Sequence, residues 1–510
     1  MKKGTNAPQE VELKLEAEPD SLDRILAHPL LQADSHDEPV IQDLRSTYFD
    51  TLNQDLRKAG ISLRIRRNGN QMIQTVKAAP ATNGVALARS EWEHEVVGDK
   101  PEFTLVQDSA LKPLMELQDA IQPVFSVTAK RTLRNVFYGS STIEVAADHG
   151  QVEGSDSALP FGELELELKD GTPTDLFGLA QALSTQAPLR LSFKTKAERG
   201  FDSLSSEAPK RVKANPIILK RRMTSAQAFQ AVGASCLQHL MANEAIVRAA
   251  PEADAVHQMR VALRRLRAAI TLFKTVVEDE ARDQIKDELK WMANLLGEAR
   301  DLDVYVSKVL EPAQSQYEDD EGYRQLMAGY QERRIQAYQK VQKTIVSPRF
   351  LNSILETAAW IQAGHWAVDK SKAARQRRGQ PVAELAEQEI GRRWKRVLKR
   401  GRNLADLDPD ERHQVRIEIK KLRYASEFFD SLFKGGGAKT RKRAALKTLE
   451  ALQETLGELN DIAVGSHMHG SEVEEALHQQ QLPRVDELLT AAQAQYRDLA
   501  ELEPFWRSKP

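Results

Sequence analysis

The chain has 510 residues, 29% of them charged and 41% apolar, and a net charge of −2. That length exceeds one ordinary core and predicts two or three domains. No run of about 18 apolar residues occurs, which excludes a helical membrane span from the reading.

The two lysines of MKKGTNAPQE are followed by no apolar segment, so no secretory signal is expected. The single cysteine, Cys236, lies in an apolar helical pattern. It reads as a small buried hydrophobe in a reducing, cytoplasmic setting. Charge is unevenly spread: up to residue 210 there are 23 basic against 32 acidic side chains, and beyond it 49 against 42. Opposite signs in two halves suggest two different tasks.

From residue 10 to about 200 the period-two pattern of strands dominates. Such runs occur at Glu10–Glu16, Ser62–Arg67, Met72–Lys77, Arg89–Val96, Ser126–Asn135, Thr142–Ala147 and Gly162–Lys169, with a last one near Leu189–Lys194. Short helical patterns at Leu111–Ile121 and Thr174–Gln186 interrupt about eight predicted strands. A linker is expected over 204–222, and beyond about Thr224 the pattern is helical throughout. KGGGAK at Lys434–Lys439 reads as a helix–helix connection.

The first strand, EVELKLE, raises the functional question. Glu10, Glu12, Lys14 and Glu16 share one face, while Val11, Leu13 and Leu15 share the other. Other strands repeat this: Arg64 with Arg66, Thr75 with Lys77, Arg89 with Glu91 and Glu93, Glu144 with Ala146 and Asp148, and Glu163 with Glu165 and Glu167. On any one strand a charged row is ordinarily the solvent face of an antiparallel sheet. Rows sorted by charge type across most strands point instead to an inside-out barrel, with aliphatic faces outward against helices and charges inward. Bare charges are costly to bury, so such a lumen must hold water and compensating ions. Clustered carboxylates bind hard divalent cations, and Lys and Arg rows hold phosphate oxygens.

EVELK, YFDT at Tyr48–Thr51, LRIR, TVK, RSEWE, ELELEL and SFKTKAERG, in this order, resemble the CYTH family of triphosphate tunnel metalloenzymes. The resemblance covers about residues 8–202. It implies an eight-stranded antiparallel tunnel that binds a triphosphate and hydrolyses or cyclises it with Mg²⁺ or Mn²⁺. Matched by motif, it implies metal binding by Glu10, Glu12, Glu165, Glu167 and Asp148, the last holding a second metal or orienting water. It implies phosphate binding by Lys14, Arg64, Arg66, Lys77, Arg89, Arg131 and Lys194, with catalysis resting on Glu10, Glu12, Lys14 and Asp148. Lys130 and Arg134 compete with Arg131 for its role, and Lys196 with Lys194. Asp50 of YFDT reads as part of the tunnel wall.

The helical half contains a repeat. HQMRVALRRLRAAITLF at His257–Phe273 matches HQVRIEIKKLRYASEFF at His413–Phe429, and LGEARDLDV at Leu296–Val304 matches LGELNDIAV at Leu456–Val464. Two related bundles are expected, over about 223–365 and 380–510, packed about a pseudo-two-fold axis. On a helix His257, Arg260, Arg264 and Arg267 fall within about 80° of one another, as do His413, Arg416, Lys420 and Arg423. A basic stripe is usually a solvated face; two copies at matched positions suggest a field for a long polyanion. Base-stacking aromatics are nearly absent from the stripes, which argues against nucleic acid. The repeat resembles the CHAD domain, which implies polyphosphate binding by those eight residues. Asp301 and Asp461 read as salt-bridge partners of the basic helices.

The expectation is therefore an α+β multidomain chain: a tunnel domain over 1–203 and an all-α domain over 223–510. The activity expected is Mg²⁺-dependent hydrolysis of inorganic triphosphate, with the helical domain binding polyphosphate and no membrane partner. Thiamine triphosphatase, class IV adenylate cyclase and a non-catalytic polyphosphate scaffold are the alternatives.

Overall fold

The computed structural model describes residues 11–32, 38–78, 90–103, 112–154, 158–205, 209–435, 437–465 and 472–506. They form two compact units. The first comprises residues 1–212 with 237–250 and 344–364; the second comprises 213–236, 251–343 and 365–510. Two segments of the helical sequence thus belong to the first unit.

The first unit is built on β1 (Val11–Ala17), β2 (Val40–Asp50), β3 (Ile61–Asn68), β4 (Gln71–Ala78), β5 (Ser90–Glu95), β6 (Gln122–Tyr138), β7 (Ser141–Glu153), β8 (Ala158–Asp170) and β9 (Arg190–Leu191). They form one antiparallel sheet in the order β5-β4-β3-β2-β6-β7-β8-β1-β9. Two-residue turns join β3 to β4 and β6 to β7. Gly69 (φ +58°) and Gly139 (φ +61°) supply the left-handed residue each turn requires.

The eight-strand expectation changes in two places. β2, eleven residues long, has no counterpart among the expected strands, because Gln42 and Ser46 sit on the same face as Leu44 and Tyr48 and blur the alternation. The last run shrinks to the two residues of β9, where the chain leaves the sheet for a helix.

The aliphatic faces point outward, as an inside-out sheet demands. Leu13 and Leu15 of β1 and Leu164 and Leu166 of β8 are fully buried, as are Leu22 and Ile25 of α1 (Pro19–Leu26). A short turn, α2 (Pro29–Gln32), follows α1. α3 (Asp55–Lys58) and α4 (Lys112–Glu116) cover the other end with Leu56 and Leu114, packed on Phe49, Leu63, Ile65 and Val76. α5 (Pro173–Leu183) lays Leu176, Leu179 and Leu183 on β1 and β8. Burying one such side chain contributes about 1.5–3 kcal/mol. α6 (Lys196–Ser203) is fixed by a capping box between Thr195 and Glu198.

The helices that follow are α7 (Ser225–Ala249), α8 (Ala253–Leu272), α9 (Ala281–Tyr305), α10 (Glu311–Ala313), α11 (Glu321–Ile345), α12 (Pro348–Ala363), α13 (His365–Val368), α14 (Lys372–Gly379), α15 (Val382–Arg400), α16 (Pro409–Phe428), α17 (Ala438–Gly465), α18 (Glu472–Gln479) and α19 (Arg484–Glu501). In the second unit each repeat is a helix pair, α8 with α9 and α16 with α17, and α8 packs on α16. Phe273 and Phe429 hold the same repeat position and meet edge-on, centroids 5.8 Å apart. Contact between equivalent residues is the signature of a two-fold relation. No helix among the described residues is long and apolar enough to cross a membrane.

Candidate active site

Register assembles the site. Antiparallel pairing sets Lys14 of β1 opposite Glu165 of β8, Glu163 of β8 opposite Asp148 of β7, and Asp148 opposite Arg131 of β6. All point to the face away from Leu13 and Leu15. Arg131 grips Asp148 with a two-bond fork, Nε to Oδ1 at 2.7 Å and Nη2 to Oδ2 at 2.6 Å, and reaches Glu165 Oε2 at 2.6 Å. Lys14 Nζ donates to Glu165 at 2.5 Å and to Glu163 at 3.3 Å. Lys196, from the first turn of α6, lies 2.9 Å from Asp148 and 3.0 Å from Glu165, and also pairs with Glu163.

Three cations therefore meet three carboxylates. Oxygens of Asp148, Glu163 and Glu165 lie within 4.8 Å of one another, and Asp148 and Glu163 are fully buried. This donor set fits a hard divalent cation, which takes carboxylate oxygen ligands. Glu163 Oε2 makes no hydrogen bond within the protein, so one ligand oxygen is already uncommitted.

Burial opposes ionisation of Glu165, yet Lys14, Lys196 and Arg131 hold its carboxyl well below the usual range. Asp148 is likewise pressed upward by burial but lowered overall by Lys196 and Arg131. Lys14 and Lys196 move the other way: burial would discharge them, and the surrounding carboxylates raise them instead. Glu12 is raised, by burial and by Glu165.

The opposite wall is basic. Arg64 and Arg66 of β3 face Tyr48 and Ser46 of β2. Burial, with Arg64 and Arg131 nearby, brings the Arg66 guanidinium down to about 10. Burial works against ionisation of Tyr48, and Arg64 and Arg66 outweigh it, lowering the phenol. Lys77 of β4 bears electrostatically on Glu12 of β1, although several strands separate them in the sheet order, so the sheet is curled into a tunnel. One end is filled with apolar groups: Tyr48, Phe125, Val127, Val152 and Phe161 from the inner face, capped by Phe201 of α6. Tyr48 stacks on Phe125 at 4.8 Å and Phe201 meets Phe125 edge-on at 5.1 Å.

The inner face thus brings together Glu12, Lys14, Arg64, Arg66, Lys77, Arg131, Asp148 and Glu165. Glu10 and Arg89 lie outside the described residues. Lys194 stands apart, exposed and paired with Asp202 at 2.6 Å, and it is Lys196 that enters the cluster. The reason is the helix cap at Thr195, which turns the next residue inward. Glu167 shares the strand face but pairs with Lys169 at 2.8 Å, outside the three-carboxylate group. Glu163 joins the group in place of the expected Glu167; alternation gives the face of a residue and not its depth, so the pattern alone does not separate the three glutamates of that row. Lys130 is exposed and Arg134 donates to Leu31 O, leaving Arg131 as the inward member of that run. Asp50 accepts from the backbone N–H groups of Thr51, Leu56 and Arg57, a structural cap for α3.

In the second unit the stripes of α8 and α16 converge. Arg260 lies 3.5 Å from Asp301, across Gly297 of α9, where a Cβ would sit 2.7 Å from Arg260 Nη1. The second copy repeats this, with Arg416 Nη2 at 3.2 Å from a Cβ at Gly457. Burial, then Arg416 and Arg264, push the Lys420 amine down to about 7, with Asp461 and Arg423 also close by. His257 falls to about 4 through burial, Arg300 and Arg264. His413 departs from its counterpart by hydrogen-bonding Asn460, which replaces Arg300 in the repeat. Arg423 pairs with Glu427 at 3.0 Å and Arg267 is half-buried on the same stripe as Arg264.

A curled antiparallel sheet with a charged inner face, followed by a duplicated helical unit with a basic seam, is a charged β-tunnel protein with an appended helical domain. Residues 8–201 match the CYTH domain and residues 231–469 the CHAD domain, and the chain carries the two in that order. It is 32% identical over 163 residues to an inorganic triphosphatase of Haemophilus influenzae, covering 31% of this chain and 45% of that protein. The match therefore spans less than half of that relative's length. Among solved structures it is similar to the CHAD domain from the plant Ricinus communis, with 30% identity, TM-score 0.44, and coverage of 57% of this chain and 91% of that one. It is also similar to PptA from Streptomyces chartreusis, with 14% identity, TM-score 0.37, and coverage of 54% and 99%.

Proposed function

We propose that the chain hydrolyses inorganic triphosphate to diphosphate and phosphate with a divalent metal, and that its helical unit binds polyphosphate. The observation that carries the first part is the interleaving of Asp148, Glu163 and Glu165 with Lys14, Arg131 and Lys196. Three ion pairs of matched charge can exchange partners with a metal–triphosphate complex, itself an ion pair, without leaving a buried charge unmet.

Asp148, Glu163 and Glu165 would hold the metal, with Glu12 beside them. A bound Mg²⁺ or Mn²⁺ supplies charge neutralisation at the phosphate oxygens. Lys14, Arg131 and Lys196, released from the carboxylates, take phosphate oxygens on one wall, and Arg64, Arg66 and Lys77 take them on the other. Water oxygen bonds to the terminal phosphorus as the bond to the bridging oxygen breaks, and diphosphate leaves. Asp148, held low, is a weak base and serves that water by orienting it. The chain's similarity to an inorganic triphosphatase supports this choice of substrate over a nucleotide.

The second part is supported by two cationic helices meeting with Arg264, Arg416 and Lys420 in mutual electrostatic reach. Like charges held together in a folded protein favour a polyanion that relieves them. Cys236, fully buried and its thiol raised by burial to about 11, fits a cytoplasmic protein with no disulfide role.

Phosphate release from triphosphate, ATP and thiamine triphosphate, with and without Mg²⁺, tests the reading. Mg²⁺-dependent release from triphosphate alone is expected; no release from any of them would leave a polyphosphate-binding scaffold. Polyphosphate affinity that falls with salt, and that falls further in Arg264→Glu, is expected of the helical unit; affinity unaffected by either would overturn that part.

A further inference from the structure

Behind the carboxylate cluster runs a chain of alternating charges. Glu163 Oε2 lies 3.7 Å from Arg199 Nη2, too far for a hydrogen bond. The same Arg199 nitrogen donates to Glu16 Oε2 at 3.2 Å. The other oxygen of Glu16 accepts from Arg248 Nη2 at 3.0 Å. Arg248 Nε in turn lies 3.6 Å from Glu244 Oε1, which accepts from Arg190 Nε at 3.0 Å. Glu163 and Glu244 are fully buried, and Arg199, Glu16 and Arg248 between them are partly exposed.

Glu163 is on β8, and the other members come from four further elements. Glu16 continues the inner row of Glu12 and Lys14 on β1, Arg199 is on α6, and Arg190 is on β9. Glu244 and Arg248 are on the last turns of α7, within the segment 237–250 that belongs to the first unit. Burial would discharge Glu16, but Arg199, Arg248 and Arg190 lower its carboxyl overall. Arg199 is thus shared between two carboxylates and bonded to only one of them.

We propose that Glu16, anchored by Arg248, is a positioning residue that restrains Arg199 from closing on Glu163 and so keeps that carboxylate's second oxygen available to a divalent cation. The inference rests on the reading that Asp148, Glu163 and Glu165 hold such a cation. Without Glu16, Arg199 needs to move less than about 1 Å to reach hydrogen-bond distance of Glu163 Oε2, where its guanidinium would compete with the metal.

The test is Mn²⁺ binding to the full chain, by electron paramagnetic resonance and calorimetry without substrate. Glu16→Gln is expected to weaken Mn²⁺ binding about tenfold, the scale on which a new adjacent charge acts on a carboxylate. Arg248→Ala should weaken it in the same direction by less, and Arg248→Lys should restore it. The deciding variant is Glu16→Gln with Arg199→Ala: the guanidinium next to Glu163 Oε2 is gone, and Mn²⁺ affinity returns toward that of the unaltered chain. A merely structural lesion would not be repaired by a second truncation. Unchanged affinity in Glu16→Gln, or no recovery in the double variant, overturns the proposal. Glu165→Gln separates the two readings: if it leaves Mn²⁺ binding intact, the carboxylates are not the metal site and the inference falls with that reading.

Discussion

Arg131 and Asp148 are joined by two parallel hydrogen bonds of 2.7 and 2.6 Å, in adjacent strands at directly opposed positions. Asp148 is fully buried, and the same guanidinium also holds Glu165. Lysine cannot reproduce a planar fork. Arg131→Lys is expected to lower kcat/KM for triphosphate by about 10²-fold or more, the scale of losing one oriented charge-stabilising donor. Arg131→Ala should in addition lower the melting temperature, because it strands a buried carboxylate. Steady-state kinetics and calorimetry on both variants check this.

The cluster also sets an acid limit. The folded values of Asp148 and Glu165 lie below their ordinary ones, so the stability they contribute is present above about pH 4. It is lost as pH falls through their lower folded values. Lys14 and Lys196, raised, contribute below their unfolded value and lose that contribution only in strong alkali. Urea titrations from pH 6 down to 2.5 should therefore show stability falling mainly below about pH 4. A fall centred near pH 6 would contradict the assignment.

Gly200 sits where α6 crosses Phe125. A Cβ there would lie 1.8 Å from the Phe125 ring. Gly200→Ala must displace α6, and with it Lys196 and Arg199. Both melting temperature and triphosphate turnover should fall, with overpacking costing about 1–3 kcal/mol. A variant with unaltered turnover would mean that α6 does not position Lys196.

Gly297 and Gly457 let an arginine cross a helix in each repeat. In both cases the obstructed atom is the tip of a flexible side chain. Alanine should then favour the helix by up to about 1 kcal/mol while pushing Arg260 or Arg416 off the seam. The expected result is stability unchanged or higher and polyphosphate affinity lower, read by melting curves and by binding at several salt concentrations.

Lys420, brought to about 7 by burial and by Arg416 and Arg264, is partly uncharged at neutral pH. A polyanion would favour the charged amine, so binding near pH 7.5 should take up protons. Calorimetry in buffers of different ionisation enthalpy measures that uptake, and Lys420→Arg should abolish it. Polyanion affinity should decline as pH rises through 7, because the amine of the unliganded protein then carries less charge.

Much of this protein was legible in its sequence. The alternation of EVELKLE and GELELEL fixed which side chains share a face, because the side-chain period of a strand is two whatever surrounds it. The duplicated HQxR segments likewise announced two helical copies. Depth and partnership were not legible. Glu163, Glu165 and Glu167 are equivalent in the pattern, yet only the pairing of β8 with β7 and β1 places Glu163 and Glu165 beside Asp148 and Lys14 and leaves Glu167 to Lys169. Lys194 and Lys196 are equivalent too, until the cap at Thr195 turns one outward and the other in. The link from Glu16 through Arg199 and Arg248 joins residues 16, 199 and 248, and no local period relates positions so far apart. Sequence determined the chemistry of each face; the tertiary structure decided which charges meet, because charge pairing acts over a few ångströms of space and not along the chain.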